Sequence, residues 1–235
     1  MGNIAIITAR GGSKRVPLKN IRSFHGIPII GYGIKAAKAC GLFDEVMVST
    51  DSEEIAEVSR SFGANIPFMR SQKNSDDIST TAEVVREVLE WYWKNGKRFK
   101  YACCIYPTAA FITPPKLNQA YELLNKESAD SVLPVVKFGF SIWRSFKMED
   151  NYAVEYNWPE FAQKRSQDLP ATFHDSGQFY FFNVQRFFET GTLIMKNTRA
   201  IEVSDMEAQD IDTEGDWRLA ETKYALFVNN NLRTK

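Results

Sequence analysis

The chain has 235 residues, 44% of them hydrophobic and 25% charged, and its 29 basic and 29 acidic residues give a formal net charge of zero. That length buries a full core, and the composition is that of an ordinary globular protein rather than a disordered or fibrous one. The charge balance argues against a general nucleic-acid binder, and no apolar run approaches the length that spans a membrane.

The three cysteines, Cys40, Cys103 and Cys104, have no metal-type spacing, and two of them are adjacent in a predicted strand. They read as small core residues in a reducing compartment. The first predicted strand starts almost at the first residue, leaving no room for a leader, and Ile6 stands where a myristoylation signal needs Ser or Thr. A soluble, cytoplasmic protein is expected.

Ile4 to Ile7 form an unbroken apolar run, as in a parallel strand covered on both faces. The loop that follows, Ala9 to Asn20, has Gly11 and Gly12 for a tight turn, a hydroxyl at Ser13, and cations at Arg10, Lys14, Arg15 and Lys19, with Arg22 just beyond. Glycines admit backbone N–H groups to phosphate oxygens and cations neutralise them, so the loop suits a polyphosphate. No acidic residue precedes Asp44, which makes the local field positive. The alternative is an ordinary turn with a solvated basic face. The loop is neither a Gly-Lys-Ser/Thr phosphate loop nor Gly-x-Gly-x-x-Gly.

Residues 28–40 have helical spacing and end at Gly41; 45–49 form a second strand, and Ser52 caps a helix from 53 to 62. A short third strand is predicted at 66–69, a helix from Thr80 or Thr81 to about Trp93, a fourth strand at 101–106, a helix opening at Pro114-Pro115, and a fifth strand at 130–136. This alternation implies right-handed crossovers and an α/β, doubly wound, mostly parallel sheet. Between about 137 and 175 the rhythm breaks into aromatic residues interleaved with charges, whose spacing fits short antiparallel strands and loops. An inserted arm that packs on a second subunit is expected, the alternative being an arm folded back on its own sheet. The sheet resumes at 178–184, a short helix runs to Thr190, a strand covers 198–203, and a terminal helix covers 214–230. One domain, 1–235, carries the arm as an embellishment. Asp210 and Asp212 alternate with Ile211, which on an extended segment puts both carboxylates on one side, able to hold Mg²⁺; otherwise the acidic residues from 212 to 216 simply open the terminal helix.

Ala9-Arg10-Gly11-Gly12-Ser13-Lys14-Arg15, Leu18-Lys19-Asn20, Val48 to Ala56 and Asp210-Ile211-Asp212-Thr213, taken in order, resemble the sugar-acid cytidylyltransferases, the CMP-sialic acid synthetase family, over nearly the whole chain. The resemblance implies a Rossmann-like fold of the nucleotide-diphospho-sugar transferase type and a homodimer formed through the arm. It also implies transfer of CMP from CTP to the anomeric hydroxyl of a nine-carbon keto-sugar acid, with release of pyrophosphate. It carries triphosphate binding to Arg10, Gly11, Gly12, Ser13, Lys19 and Asn20, beside Ala9 and with help from Lys14 and Arg15. Arg10 and Lys19 become catalytic cations, Asp210 and Asp212 catalytic magnesium ligands, and Arg70, Thr80 and Thr81 border the cytidine. On sequence alone, Arg70 is equally a solvated arginine and the threonines a simple helix cap.

Two departures bear on the sugar. Sialic acid synthetases typically have Gln where this chain has Tyr106, and Arg-Pro-Asn-Gly where it has His174-Asp175-Ser176-Gly177. With Arg165 to Pro170, these resemble the pseudaminic acid branch, whose activated sugar is destined for flagellar or surface glycans. Tyr106, His174 and Gln178 are then expected in the sugar pocket, and Arg165 on the sugar carboxylate. His174 fits a structural hydrogen-bonding role equally well. Rival readings are the same reaction on a sialic, legionaminic or ketodeoxyoctonic acid, a metal-dependent glycosyltransferase, and a non-catalytic nucleotide-binding protein.

Overall fold

The apolar run at the N-terminus becomes the middle of a sheet. In the computed structural model, which describes residues 1–13, 15–76 and 78–233, with side chains as far as 229, Ile4, Ala5, Ile6 and Ile7 are fully buried in strand β1 (Gly2–Thr8). A two-residue ribbon, β2 (Ser23–Phe24) and β3 (Ile27–Pro28), leads into helix α1 (Ile30–Ala39), strand β4 (Glu45–Ser49) and helix α2 (Glu53–Ser61). Then come α3 (Thr81–Lys94), β5 (Phe99–Ile105), α4 (Pro114–Lys126) and β6 (Ser131–Lys137). The arm holds β7 (Phe146–Met148) and β8 (Val154–Tyr156), and the chain closes with β9 (Phe173–Asp175), β10 (Phe179–Asn183), α5 (Val184–Thr190), β11 (Thr198–Val203) and α6 (Glu214–Arg233).

The main sheet runs β11-β6-β10-β5-β1-β4, with β9 also paired to β6. Residues alternate between its faces. Ala5, Ile7, Cys103, Ile105, Phe179 and Phe181 pack under α1, α2 and α4; Ile4, Ile6, Ala102, Cys104, Tyr180 and Phe182 pack under α3 and α5. Both faces are covered, which is why these strands read as continuous apolar runs. The sheet is mostly parallel, as expected, but β10 runs antiparallel to both β5 and β6, and β9 antiparallel to β6. The reason is connectivity. The arm leaves and returns at the carboxyl end of β6 with no crossover helix, so the returning chain enters the sheet in the opposite direction.

The strand expected at 66–69 is absent, and this is a correction. The segment runs beside β4 but makes only separated backbone bonds, Val48 N–H to Asn65 O (3.0 Å), Asn65 N–H to Val46 O (2.8 Å) and Arg70 N–H to Thr50 O (2.8 Å). Pro67, lacking an N–H, sits in the gap.

A third apolar cluster ties the loop after β1 to the last helix. Val16, Phe24, Ile29, Phe111, Ile211 and Trp217 pack together, with Phe24 edge-on to Trp217 at 5.5 Å. Trp217 is fully buried, and truncating such a residue costs about 3–5 kcal/mol. The arm forms the expected short antiparallel ribbon and packs mainly on itself, with Trp143 edge-on to Trp158 (5.3 Å) and Phe146 beside Tyr156 (4.4 Å). Phe140, Tyr152 and Met148 remain exposed. Among the described residues no helix is long and apolar enough to cross a membrane.

Candidate active site

The carboxyl ends of β1, β4 and β5 and the start of β10 meet at one edge of the sheet. β1 leads through α1 to one side and β5 lies on the other, so the crevice opens at a reversal of strand order, where ligands bind in open α/β sheets. Two clefts lie there. The first, of about 570 Å³, is lined by Arg10, Ser13, Arg15, Lys19, Asn20 and Arg70 on the phosphate-loop side, and by Thr81, Tyr106 and Asp210. The second, of about 510 Å³, is lined by His174, Asp175, Ser176, Asp205 and Lys223, and again by Tyr106 and Asp210. Two residues therefore belong to both walls.

The basic loop is stiffened by its own polar groups. Gly11 N–H donates to Asp51 Oδ1 (2.8 Å), Ser13 Oγ to Val16 O (2.7 Å), and buried Asn20 donates through Nδ2 to Arg10 O (2.9 Å). A Cβ at Gly11 would come 2.9 Å from the Ser52 Cβ at the head of α2, so glycine is required by the close approach. Arg10 reaches across the cleft to Asp76 O (3.0 Å). Lys19 donates to Ile211 O (2.5 Å) and lies 3.9 Å from Asp212, which pairs with Arg15 at 2.7 Å. Burial lowers the Lys19 pKa, against the opposing pull of Asp212 and Asp210.

Several expected residues serve other purposes. Ala9 is wholly buried, its N–H bonded to Ser49 O, and supports the loop from below. Neither Gly11 nor Gly12 lines the cleft. Arg22 pairs with Glu214 (2.6 Å) over the Trp217 ring, away from the cleft. Thr80 caps α3 in a reciprocal box with Glu83, leaving Thr81 to face the cleft. Arg70 is not a solvated arginine: it is buried, bonded through Nε to Ser49 Oγ (3.0 Å) and through Nη2 to Ser49 O. Lys14 lies outside the described residues.

Ile211 is buried against Trp217, so the alternation expected of an extended segment leaves Asp210 and Asp212 on the open side, and Asp210 lines both clefts. The cap of α6 is made instead by Thr213 and Asp216, whose carboxylate accepts from Thr213 N (2.8 Å) and Asp212 N (3.1 Å). Among the described residues no group of three or more His, Cys, Asp or Glu could hold a metal. Two hard carboxylates beside a phosphate cleft nevertheless fit Mg²⁺, which takes one or two carboxylates and fills its shell with water and phosphate.

In the second cleft His174 lines the wall and bonds its own neighbour's carbonyl, Asp175 O, at 2.8 Å through Nδ1. Gln178 does not reach the cleft. It is buried behind it, donating to Glu207 O (2.6 Å) and so fixing the turn that carries Asp205. Arg165 sits exposed on the arm and lines neither cleft. Sequence reasoning missed Asp175, Ser176, Tyr180 and Lys223, which reach the second cleft from the β9–β10 turn, β10 and α6. The one available signal was the departure from the sialic acid pattern at 174–177.

The fold and the basic cleft define an α/β protein of the nucleotide-binding type, with a second cleft adjoining the cation-lined one. The profile of the family described as Cytidylyltransferase matches residues 4–217, and the chain belongs to that family. It is similar to the pseudaminic acid cytidylyltransferase of Campylobacter jejuni, at 36% identity over 95% of this chain and 97% of that one. It is also similar to N-acylneuraminate cytidylyltransferase A of Danio rerio, at 34% identity over 95% of this chain and 51% of that protein. In fold it matches a CMP-2-keto-3-deoxy-manno-octonic acid synthetase solved with CTP, at a TM-score of 0.71, 15% identity, and coverage of 96% and 99%.

Proposed function

We propose that the chain activates pseudaminic acid: the anomeric hydroxyl oxygen attacks the α-phosphorus of CTP, the bond to the β-phosphate oxygen breaks, and CMP-pseudaminic acid and pyrophosphate leave. The observation that carries this reading is the pair of clefts sharing Tyr106 and Asp210, a basic one sized for a nucleotide and a second that opens beside it. Four cations, Arg10, Arg15, Lys19 and Arg70, face the first against two carboxylates, Asp76 and Asp210, a balance that suits a triphosphate.

In-line displacement needs position and charge rather than a covalent intermediate. Arg10, Lys19 and Arg15 hold the triphosphate and stabilise charge as it builds on the leaving pyrophosphate, with the Ser13 and Asn20 side chains fixing the loop. Arg70, set by Ser49, and Thr81 border the base and ribose. Asp210 and Asp212 would hold Mg²⁺, which when bound neutralises phosphate charge. Asp210, the carboxylate common to both clefts, accepts the proton of the attacking hydroxyl. Tyr106 and His174 wall the sugar. The exposed aromatic arm is proposed to join two copies as a homodimer and to bring Arg165 to the partner's sugar, in a cytoplasmic enzyme.

The test is pyrophosphate release from CTP with each of pseudaminic, N-acetylneuraminic, legionaminic and ketodeoxyoctonic acid. Pseudaminic acid is expected to give the highest kcat/KM. Release with another of the four and none with pseudaminic acid overturns the sugar assignment, and release with none overturns the reaction.

A further inference from the structure

The turn between β9 and β10 holds two polar groups that the phosphate chemistry does not use. Asp175 is fixed at both oxygens: Gly177 N–H donates to Oδ1 (2.9 Å) and the Tyr180 hydroxyl donates to Oδ2. Gly177, at a φ of 66°, gives the turn the left-handed residue it needs. Ser176 differs. It is 5% exposed, it lines the second cleft, and its Oγ is buried with no hydrogen-bond partner among the described residues. A buried hydroxyl without a protein partner is costly, so a group that enters the cleft and pairs with it gains that hydrogen bond at little further desolvation cost.

The rest of the cleft says what that partner offers. Asp175, Asp205 and Asp210 make the wall rich in acceptors. The cation there, Lys223, already gives two of its three protons to Asp205 O and Ala208 O, each at 3.0 Å. A substituent with one strong donor and one strong acceptor, pointing in different directions, matches a fixed carboxylate next to a free hydroxyl. An amide has both; a sugar hydroxyl concentrates both on one atom.

We propose that Asp175 and Ser176 read an acylamino group on the sugar acid, the carboxylate accepting the amide N–H and the serine hydroxyl donating to the amide carbonyl. The inference rests on the second cleft being the sugar site. It makes these two residues specificity-determining, with Tyr180 as the positioning residue that aims the carboxylate.

The experiment compares wild type, Ser176→Ala, Asp175→Asn and Tyr180→Phe by pyrophosphate release with pseudaminic acid, N-acetylneuraminic acid and the nitrogen-free ketodeoxyoctonic acid, and by thermal melting. Ser176→Ala is expected to lower kcat/KM on the acylamino sugars by about tenfold through KM, leaving the KM for CTP and any ketodeoxyoctonic acid turnover unchanged. Because it deletes an unpaired buried hydroxyl, its Tm should hold or rise, whereas a structural serine would lower it. Asp175→Asn should cost at least as much on the same sugars, and Tyr180→Phe less.

Equal losses on the nitrogen-free sugar, a CTP KM that moves in step, or a wild type that prefers ketodeoxyoctonic acid each overturn the proposal while leaving the cytidylyltransferase reaction intact. Turnover of N-acetylneuraminic but not pseudaminic acid, with the variant effects read on the former, overturns only the pseudaminic assignment and supports the amide reading.

Discussion

The two clefts at the edge of the sheet are opposites in charge and in construction. The first is lined by four cations and two carboxylates, and three of the cations, Arg10, Arg15 and Lys19, come from one continuous stretch after β1. The second is lined by Asp175, Asp205 and Asp210 against Lys223, and is assembled from β5, the β9–β10 turn, the turn at 205–207 and α6. A reaction between two anions, a triphosphate and a sugar acid, gains from that inequality. On the proposed reading the basic cleft takes the more highly charged substrate, and the acidic one discourages a second triphosphate from occupying the acceptor side. Asp210 stands where the two fields meet.

The largest effect should follow from removing Asp210 at that meeting point, or Asp212, which pairs with Arg15 of the basic cleft. Asp212→Ala, and separately Asp210→Ala, are expected to lower kcat by a hundredfold or more, on the order of what one transition-state charge contributes, with Tm close to wild type. Chelation should give the same loss in the wild type, reversed by Mg²⁺, and initial rates with and without EDTA measure it. Undiminished turnover of Asp212→Ala would mean that the Arg15–Asp212 pair is only a surface contact, worth at most about 1 kcal/mol.

A smaller, pH-dependent effect should separate the basic cleft from the acidic one. The Lys19 pKa is lowered chiefly by burial, outweighing the pull of Asp212 and Asp210. The free protein therefore loses this charge at a lower pH than an ordinary lysine does, whereas bound triphosphate favours the protonated form. The KM for CTP should rise as pH climbs through that lowered pKa, and CTP binding should take up a proton in the same window. Lys19→Arg, which stays charged, should flatten this limb and leave the KM for the sugar unmoved. A flat wild-type profile from about pH 7 to 10 would show that Lys19 does not contact the triphosphate.

The contrast in construction also explains what could be read from the sequence. The cations of the basic cleft were legible because Ile4 to Ile7 and the loop after them are local; the role of the glycines was not, since Gly11 turns its N–H to Asp51 and neither Gly11 nor Gly12 lines the cleft. The placement of Asp210 on the clefts was legible in its alternation with Ile211, whereas Asp212, on the same alternation, pairs with Arg15 and lines neither cleft. The acidic cleft was not, because Asp175 reaches it only when β9 pairs with Val135 to Lys137, nearly forty residues earlier. Side-chain roles inside a legible motif were partly hidden: Glu83, three residues after Thr80, was the overlooked local mark of a capping box that leaves Thr81 to face the cleft, whereas nothing local marks Arg70 as buried. Pro67 was the overlooked warning against a strand at 66–69.

The smallest expected effect tests whether the clefts are separate at all. Tyr106 divides them: its hydroxyl lies 3.4 Å from Thr81 Oγ1 on the side of the basic cleft, and its ring stands edge-on to Tyr180, 5.6 Å between centroids, on the side of the second. A hydroxyl contact that long is weak, so Tyr106→Phe should change the KM for CTP by no more than about threefold. The ring that separates the substrates is kept, so kcat should hold within the same factor. A joint rise in both KM values would instead make the hydroxyl a shared hinge of one continuous site, and the opposition between a basic and an acidic cleft would then describe two ends of a single pocket. Full kinetics with both substrates varied decide between these, because only a shared element moves both constants together.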